Sequence, residues 1–180
     1  MGFKNIRKQK LTKLFSGVPG NRLATPRLLN WLDANGFYTQ VASTGHHGDY
    51  PGGLFDHSWD VTHKLLEMTH KLNLVWEKPD SPYIVGMFHD VCKIDEYEIE
   101  MVNGQSTVIK TEKCGDEHGA KSVRYLSELI PLTNEEILCI RYHMGPYIRP
   151  DWVGYDNAIK QYENVLWTHT ADMYASRLMR

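Results

Sequence analysis

The sequence predicts an all-α domain carrying one small β-hairpin. Three observations lead there. Apolar residues recur with the helical period of 3.6, helix-start signals stand at Thr25-Pro26, Ser81-Pro82 and Thr133-Asn-Glu-Glu136, and Asn103-Gly104 is a strong hairpin turn. A chain of 180 residues is about one domain, and 42% hydrophobic with 23% charged residues is near the average for soluble globular proteins. Twenty Lys+Arg against 22 Asp+Glu leave a net charge of -2, which argues against a strongly basic nucleic-acid platform. No apolar run approaches the roughly 18 residues of a membrane span. The charged start lacks a following apolar stretch, so no secretory leader is expected. Cys92, Cys114 and Cys139 are odd in number and share no C-x-x-C spacing. That favours a reducing cytoplasmic setting over a disulfide framework or a zinc ribbon.

The elements follow in order. Residues 1–20 read as a basic arm, with Lys4, Arg7, Lys8, Lys10 and Lys13; it is expected to be solvated, mobile and dispensable for catalysis. A helix starts at Thr25-Pro26, buries Leu28, Leu29 and Leu32, and stops at Asn35-Gly36. Tyr38 to Gly53 is loop by composition. A second helix runs from Gly53 to about Leu72, with His57, Val61, Leu65, Met68 and Leu72 on one face and His63 and His70 elsewhere. The Ser81-Pro82 helix is apolar nearly all round and therefore central, ending at His89-Asp90. Strands Tyr97–Val102 and Gln105–Lys110 form the hairpin. Helices are expected at Glu117–Leu129, from Thr133 to near His143-Met-Gly145-Pro146, and from about Ala158 to the C-terminus.

This pattern buries ionisable groups. His57, the His89-Asp90 pair and Asp172 fall on core-facing positions, and an unpaired buried carboxylate costs several kcal/mol. The side chains nearest them in the helical pattern are histidines and apolar residues. A divalent metal is the economical partner, since neutral imidazole and carboxylate are its ordinary ligands. With nine histidines in the chain, ligands are in supply: His57, His89, His118, His143 and then Asp172 arrive one per helix.

In these residues the sequence resembles the HD-domain metal-dependent phosphohydrolase superfamily over roughly residues 45–178. The signature H…HD…D stands here as His57, His89-Asp90 and Asp172. Its contexts are Tyr50-Pro-Gly-Gly-Leu-Phe-Asp-His57-Ser, Gly86-Met-Phe-His89-Asp90-Val-Cys-Lys93 and Thr170-Ala-Asp172-Met-Tyr-Ala-Ser176. The Gly-Gly-Leu lead-in is similar to the HD half of bacterial 3′→5′ exoribonucleases. The resemblance implies an HD helical bundle with the hairpin as an insertion. It also implies a first metal on His57, His89, Asp90 and Asp172, second-site ligands at His118 and His143, and Asp90 bridging a dinuclear centre. Two divalent ions are expected, from among Mn, Fe, Co, Ni, Zn and Mg. The sequence departs from the pattern at Cys92, where many relatives carry glycine; a thiol so close to a metal adds oxidant sensitivity.

The implied reaction is hydrolysis of a phosphoester of a nucleotide-type substrate by a metal-activated water, with Asp90 and Lys93 as catalytic residues. Lys93 lies one turn beyond His89, where it either faces the cleft or complements the helix dipole. His46, His47 and His169 join Lys93 as candidate substrate contacts, while Arg124, Arg141, Arg149, Asp49, Tyr50 and Tyr147 are weaker candidates. Two other readings stay open. One is a 3′→5′ exonuclease or phosphodiesterase on short oligonucleotides, against which no aromatic stacking platform is evident. The other is a non-catalytic nucleotide-sensing module. The expected partner is a nucleotide or short oligonucleotide, with no membrane and no strong duplex binding.

Overall fold

The computed structural model describes residues 2–20, 22–44, 48–102, 105–111, 118–145 and 151–179. Among these the chain is mostly helical, with one two-stranded antiparallel hairpin, the fold class the sequence predicts. The helices are α1 (Phe3–Ser16), α2 (Pro26–Ala34), α3 (Gly53–Leu72), α4 (Ser81–Phe88), α5 (His118–Ser127), α6 (Asn134–Arg141), α7 (Trp152–Gln161) and α8 (Asn164–Leu178). A 3-10 turn, Val91–Asp95, leads from α4 into β1 (Tyr97–Val102), which pairs with β2 (Gln105–Lys110) from Tyr97↔Lys110 to Val102↔Gln105. That pairing brackets Asn103-Gly104, which lie outside the described residues. No helix among the described residues is long and apolar enough to cross a membrane.

Local chemistry sets most boundaries. The Thr25 hydroxyl caps α2 by accepting from Leu28 N at 3.3 Å, and Pro26 opens the helix. Thr133 and Glu136 cap α6 reciprocally, as the sequence predicts. At α4 the cap belongs to Asp80, and Ser81 is already helical; its hydroxyl donates to Glu136 Oε1 at 2.7 Å. The Asp80 carboxylate is drawn away from α4 by Arg22, so it cannot serve as a cap.

Two expectations are corrected. Most of the basic arm is helix α1, docked through buried Leu11 and Phe15, with Arg7 Nη2 2.7 Å from Asp56 Oδ2 and Lys8 Nζ 2.9 Å from Asp33 Oδ2. Because Asp56 precedes His57, this helix is tied to the segment that carries the site. The expected last helix is two helices, α7 and α8, separated at Tyr162–Glu163. Tertiary hydrogen bonds fix the break: the Tyr162 hydroxyl donates to Glu77 Oε1 at 2.8 Å, and Asn164 Nδ2 donates to the Val75 carbonyl and to Glu135 Oε1. The helix before them ends at Arg141, leaving His143 in the turn beyond it, and α5 ends at Ser127.

Helix α4 is buried along nearly all its length and packs on α3, which also packs on α8. Phe37 lies 5.9–6.0 Å from Phe55 and Phe88, in tilted and edge-on geometry that joins the loop after α2 to this core. Each wholly buried ring contributes about 1.5–3 kcal/mol from area alone.

Arg22 clamps three segments. Its guanidinium donates to both Asp80 oxygens, both Glu136 oxygens and the Pro131 carbonyl, with 10% of its side chain exposed against 5% for Asp80 and none for Glu136. Removing the cation would leave two carboxylates uncompensated away from water. Arg22→Ala is therefore expected to cost about 3–5 kcal/mol in urea unfolding. A loss below about 1 kcal/mol would class the clamp with ordinary surface pairs.

Candidate metal centre

Four segments bring His57, His89, Asp90, His143 and Asp172 together. The first comes from α3, the His-Asp pair from the junction of α4 with the 3-10 turn, His143 from the turn after α6 and Asp172 from α8. All five are buried, His89 and His143 completely. The close approach of α3 and α4 depends on Gly86: a Cβ there would stand 2.6 Å from the Thr62 Cα. The same glycine's carbonyl, 2.9 Å from His89 Nδ1, receives that ring's proton. The Ile140 carbonyl does the same for His143 Nδ1 at 2.7 Å. Both rings therefore turn Nε2 inward, the arrangement by which outer hydrogen bonds prepare a metal-binding histidine.

Those nitrogens meet acceptors. His89 Nε2 is 3.3 Å from His57 Nε2 and 3.5 Å from Asp90 Oδ2, and His57 Nε2 is 3.1 Å from Asp172 Oδ1. On the other side of the carboxylate, His143 Nε2 and Asp90 Oδ1 stand 3.2 Å apart, and neither makes a hydrogen bond. Two buried polar atoms left without a hydrogen bond offer a place for a cation between or beside them. The two oxygens of Asp90 thus look toward different partners: Oδ2 toward His57, His89 and Lys93, Oδ1 toward His143. These clusters could hold metal ions, and their nitrogen and oxygen donors fit a divalent transition ion.

The charges are strongly biased. Burial alone would raise the Asp90 carboxyl, but Lys93, His89 and His143 overcome it and hold Asp90 well below the usual carboxylate range. Asp172 is likewise raised by burial and more than compensated by His57 and His89, so it too stays ionised. Burial pushes His57 down, against the pull of Asp172. For His89 burial also lowers the value, but Asp90 and Asp172 prevail and lift it. Lys93 Nζ lies 2.7 Å from Asp90 Oδ2, and this pairing holds its ammonium charged despite burial. One ammonium faces two carboxylates, so room for positive charge remains.

Other candidates fall elsewhere. His118 turns to Glu96 and Cys92. His169, half-buried on α8, donates from Nδ1 to the His143 carbonyl at 2.7 Å, which steadies the turn carrying that ligand. Arg124 and Arg141 are exposed and lie over Tyr125 and Tyr142. Asp49 and Tyr50 are exposed, and the Tyr50 hydroxyl donates to Asp56. His46, His47, Cys114, Tyr147 and Arg149 lie outside the described residues. Sequence reasoning missed Glu96, which is wholly buried. Nothing in the run Lys93-Ile-Asp-Glu-Tyr distinguishes Glu96 from the charged residues beside it. Comparison of the chain with family models, curated proteins and solved structures gave no match.

Gly86→Ala tests how the centre is held. The added methyl would force α3 and α4 apart, with an expected cost of about 1–3 kcal/mol. The rise in melting temperature on adding Mn²⁺ or Co²⁺ should shrink with it, because His89 would move away from His57. An undiminished ion-dependent rise would show that this contact does not set the centre.

Proposed function

We propose that the protein is a metal-dependent phosphohydrolase of the HD-domain type, acting on a phosphoester of a nucleotide-type substrate. The observation that carries this is the buried pair Asp90 Oδ1 and His143 Nε2, 3.2 Å apart, neither of which makes a hydrogen bond. It is supported by the order of His57, His89-Asp90 and Asp172 along the chain. His57, His89, Asp90 Oδ2 and Asp172 would hold one divalent ion, and Asp90 Oδ1 with His143 offers a second position. Bound there, such ions supply the Lewis acidity that activates water and offsets phosphoryl charge.

The chain's own groups do the rest. Asp90 keeps its negative charge through Lys93 and the histidines, and so is always ready as a ligand. Lys93 shares Asp90 Oδ2 and can turn its ammonium to a phosphoryl oxygen once the carboxylate has another cation. His169 keeps His143 in register through its carbonyl. The buried surroundings strengthen each of these electrostatic contacts.

A second reading, hydrolysis of short single-stranded oligonucleotides, is favoured by one observation. A surface groove of about 510 Å³ is lined by Lys10, Lys13, Leu14, Gly17, Trp59 and Tyr83, with Lys10 Nζ 5.4 Å from the Trp59 ring centre. Ammonium groups beside aromatic faces are what base stacking and backbone contact require. This platform is not legible along the sequence because its residues come from α1 and the turn after it, α3 and α4. The net charge of -2 still places mononucleotides first.

Asp90→Ala is expected to abolish hydrolysis and lower the metal content while far-UV circular dichroism stays helical. Normal turnover with full metal content would remove Asp90 from the centre. In the wild type, phosphate or nucleoside release from a nucleotide panel should exceed shortening of labelled RNA and DNA 12-mers at moderate salt. Shortening that dominates and is lost in Trp59→Ala would put the oligonucleotide reading first.

A further inference from the structure

Beyond the histidine-aspartate centre, three buried or half-buried donors converge on one point. Cys92, Glu96 and His118 bring a thiol, a carboxylate and an imidazole within 4.8 Å of one another. His118 Nδ1 lies 3.0 Å from Glu96 Oε1 and 3.8 Å from Cys92 Sγ. Ligands about 2.0–2.3 Å from one tetrahedral ion stand roughly 3.3–3.8 Å apart, so little movement is needed to close a shell. Cys92 and Glu96 have no exposed surface, and 17% of the His118 side chain is exposed.

We propose that Cys92, Glu96 and His118 form a separate metal site, suited to a borderline-soft divalent ion such as Zn²⁺. The donor set makes the distinction. The first centre offers only nitrogen and oxygen, whereas a thiolate selects softer ions. Charge favours it as well. On binding, the Cys92 thiol gives its proton to solvent, and one thiolate, one carboxylate and a neutral imidazole cancel the two charges of the ion in a buried place. Lys121 Nζ, 3.9 Å from Glu96 Oε1, is held more closely by Asp95 Oδ1 at 2.5 Å.

The scaffold is fixed before any ion arrives. Cys92 sits in the 3-10 turn and its backbone N–H donates to Ser122 Oγ of α5 at 3.1 Å. Glu96 closes that turn, and its carbonyl accepts from Thr111 N at 2.8 Å where the hairpin ends. His118 opens α5, pressed against the end of α6 at Gly119, where a Cβ would lie 2.2 Å from the Arg141 carbonyl oxygen. The site would join the 3-10 turn, the hairpin and α5.

Cobalt gives a direct test on the full-length, metal-stripped protein. Co²⁺ titration of the wild type should produce a near-ultraviolet sulfur-to-cobalt charge-transfer band. Cys92→Ser should lose it, Glu96→Gln and His118→Ala should weaken Co²⁺ binding by at least about tenfold, and Cys114→Ser and Cys139→Ser should keep it. Zinc-edge X-ray absorption of the zinc-saturated wild type needs no variant and should show a sulfur neighbour at about 2.3 Å. A wild-type spectrum without the band, a band that survives Cys92→Ser, or a zinc shell of nitrogen and oxygen alone would overturn the site. Hydrolysis enters none of these readouts, so this assignment and the phosphohydrolase reading can fail independently.

Discussion

Asp90 and Asp172 place two ionised carboxylates where almost no water reaches, and the structure around them answers that cost. Lys93 supplies one full charge. The outer nitrogens of His89 and His143 give protons to the Gly86 and Ile140 carbonyls, which turns both Nε2 atoms toward the Asp90 carboxylate. The backbone thus fixes which ring nitrogens face the buried charge. Four segments converge on a buried region where two carboxylates stay ionised and positive charge is favoured. Everything that positions those segments, including the tight α3–α4 contact at Gly86, serves this one electrostatic demand.

The elements with local signals were legible in the sequence. Thr25 and the Thr133/Glu136 box set helix starts through hydrogen bonds to residues three positions away, so the information lies in the local string. His57 could be read as buried because it shares a stripe with Val61 and Leu65. The failures share a different cause. Helix α1 docks through an ion pair with Asp56, 49 residues distant, and the α7–α8 break is fixed by Glu77, Val75 and Glu135. No proline or glycine marks that break, so periodicity runs straight through it. His118 was recognised as a potential ligand, but its neighbour Glu96 comes from across the hairpin, and spacing along one helix cannot reveal it.

Polar burial follows two different rules in this molecule. Around Arg22 all four carboxylate oxygens of Asp80 and Glu136 accept hydrogen bonds from the guanidinium in forked geometry, so each has a donor. Around Asp90 the chain's own compensation stops short. The contrast separates a group buried for architecture from one buried for binding. Both are equally hidden from solvent, and only the count of donors against acceptors tells them apart.

The contact between His57 of α3 and Asp172 of α8 also has a topological meaning. These residues are far apart in sequence, and the segment between them contains α4, the hairpin, α5, α6 and α7. A proton or an ion shared by the pair closes one long loop around most of the molecule. The entropy of closing such a loop grows only slowly with its length, so one clasp secures many elements at little more than the cost of securing a few. The clasp lies where α3 and α8 already pack, so it closes that loop at the seam between the two helices that bound it.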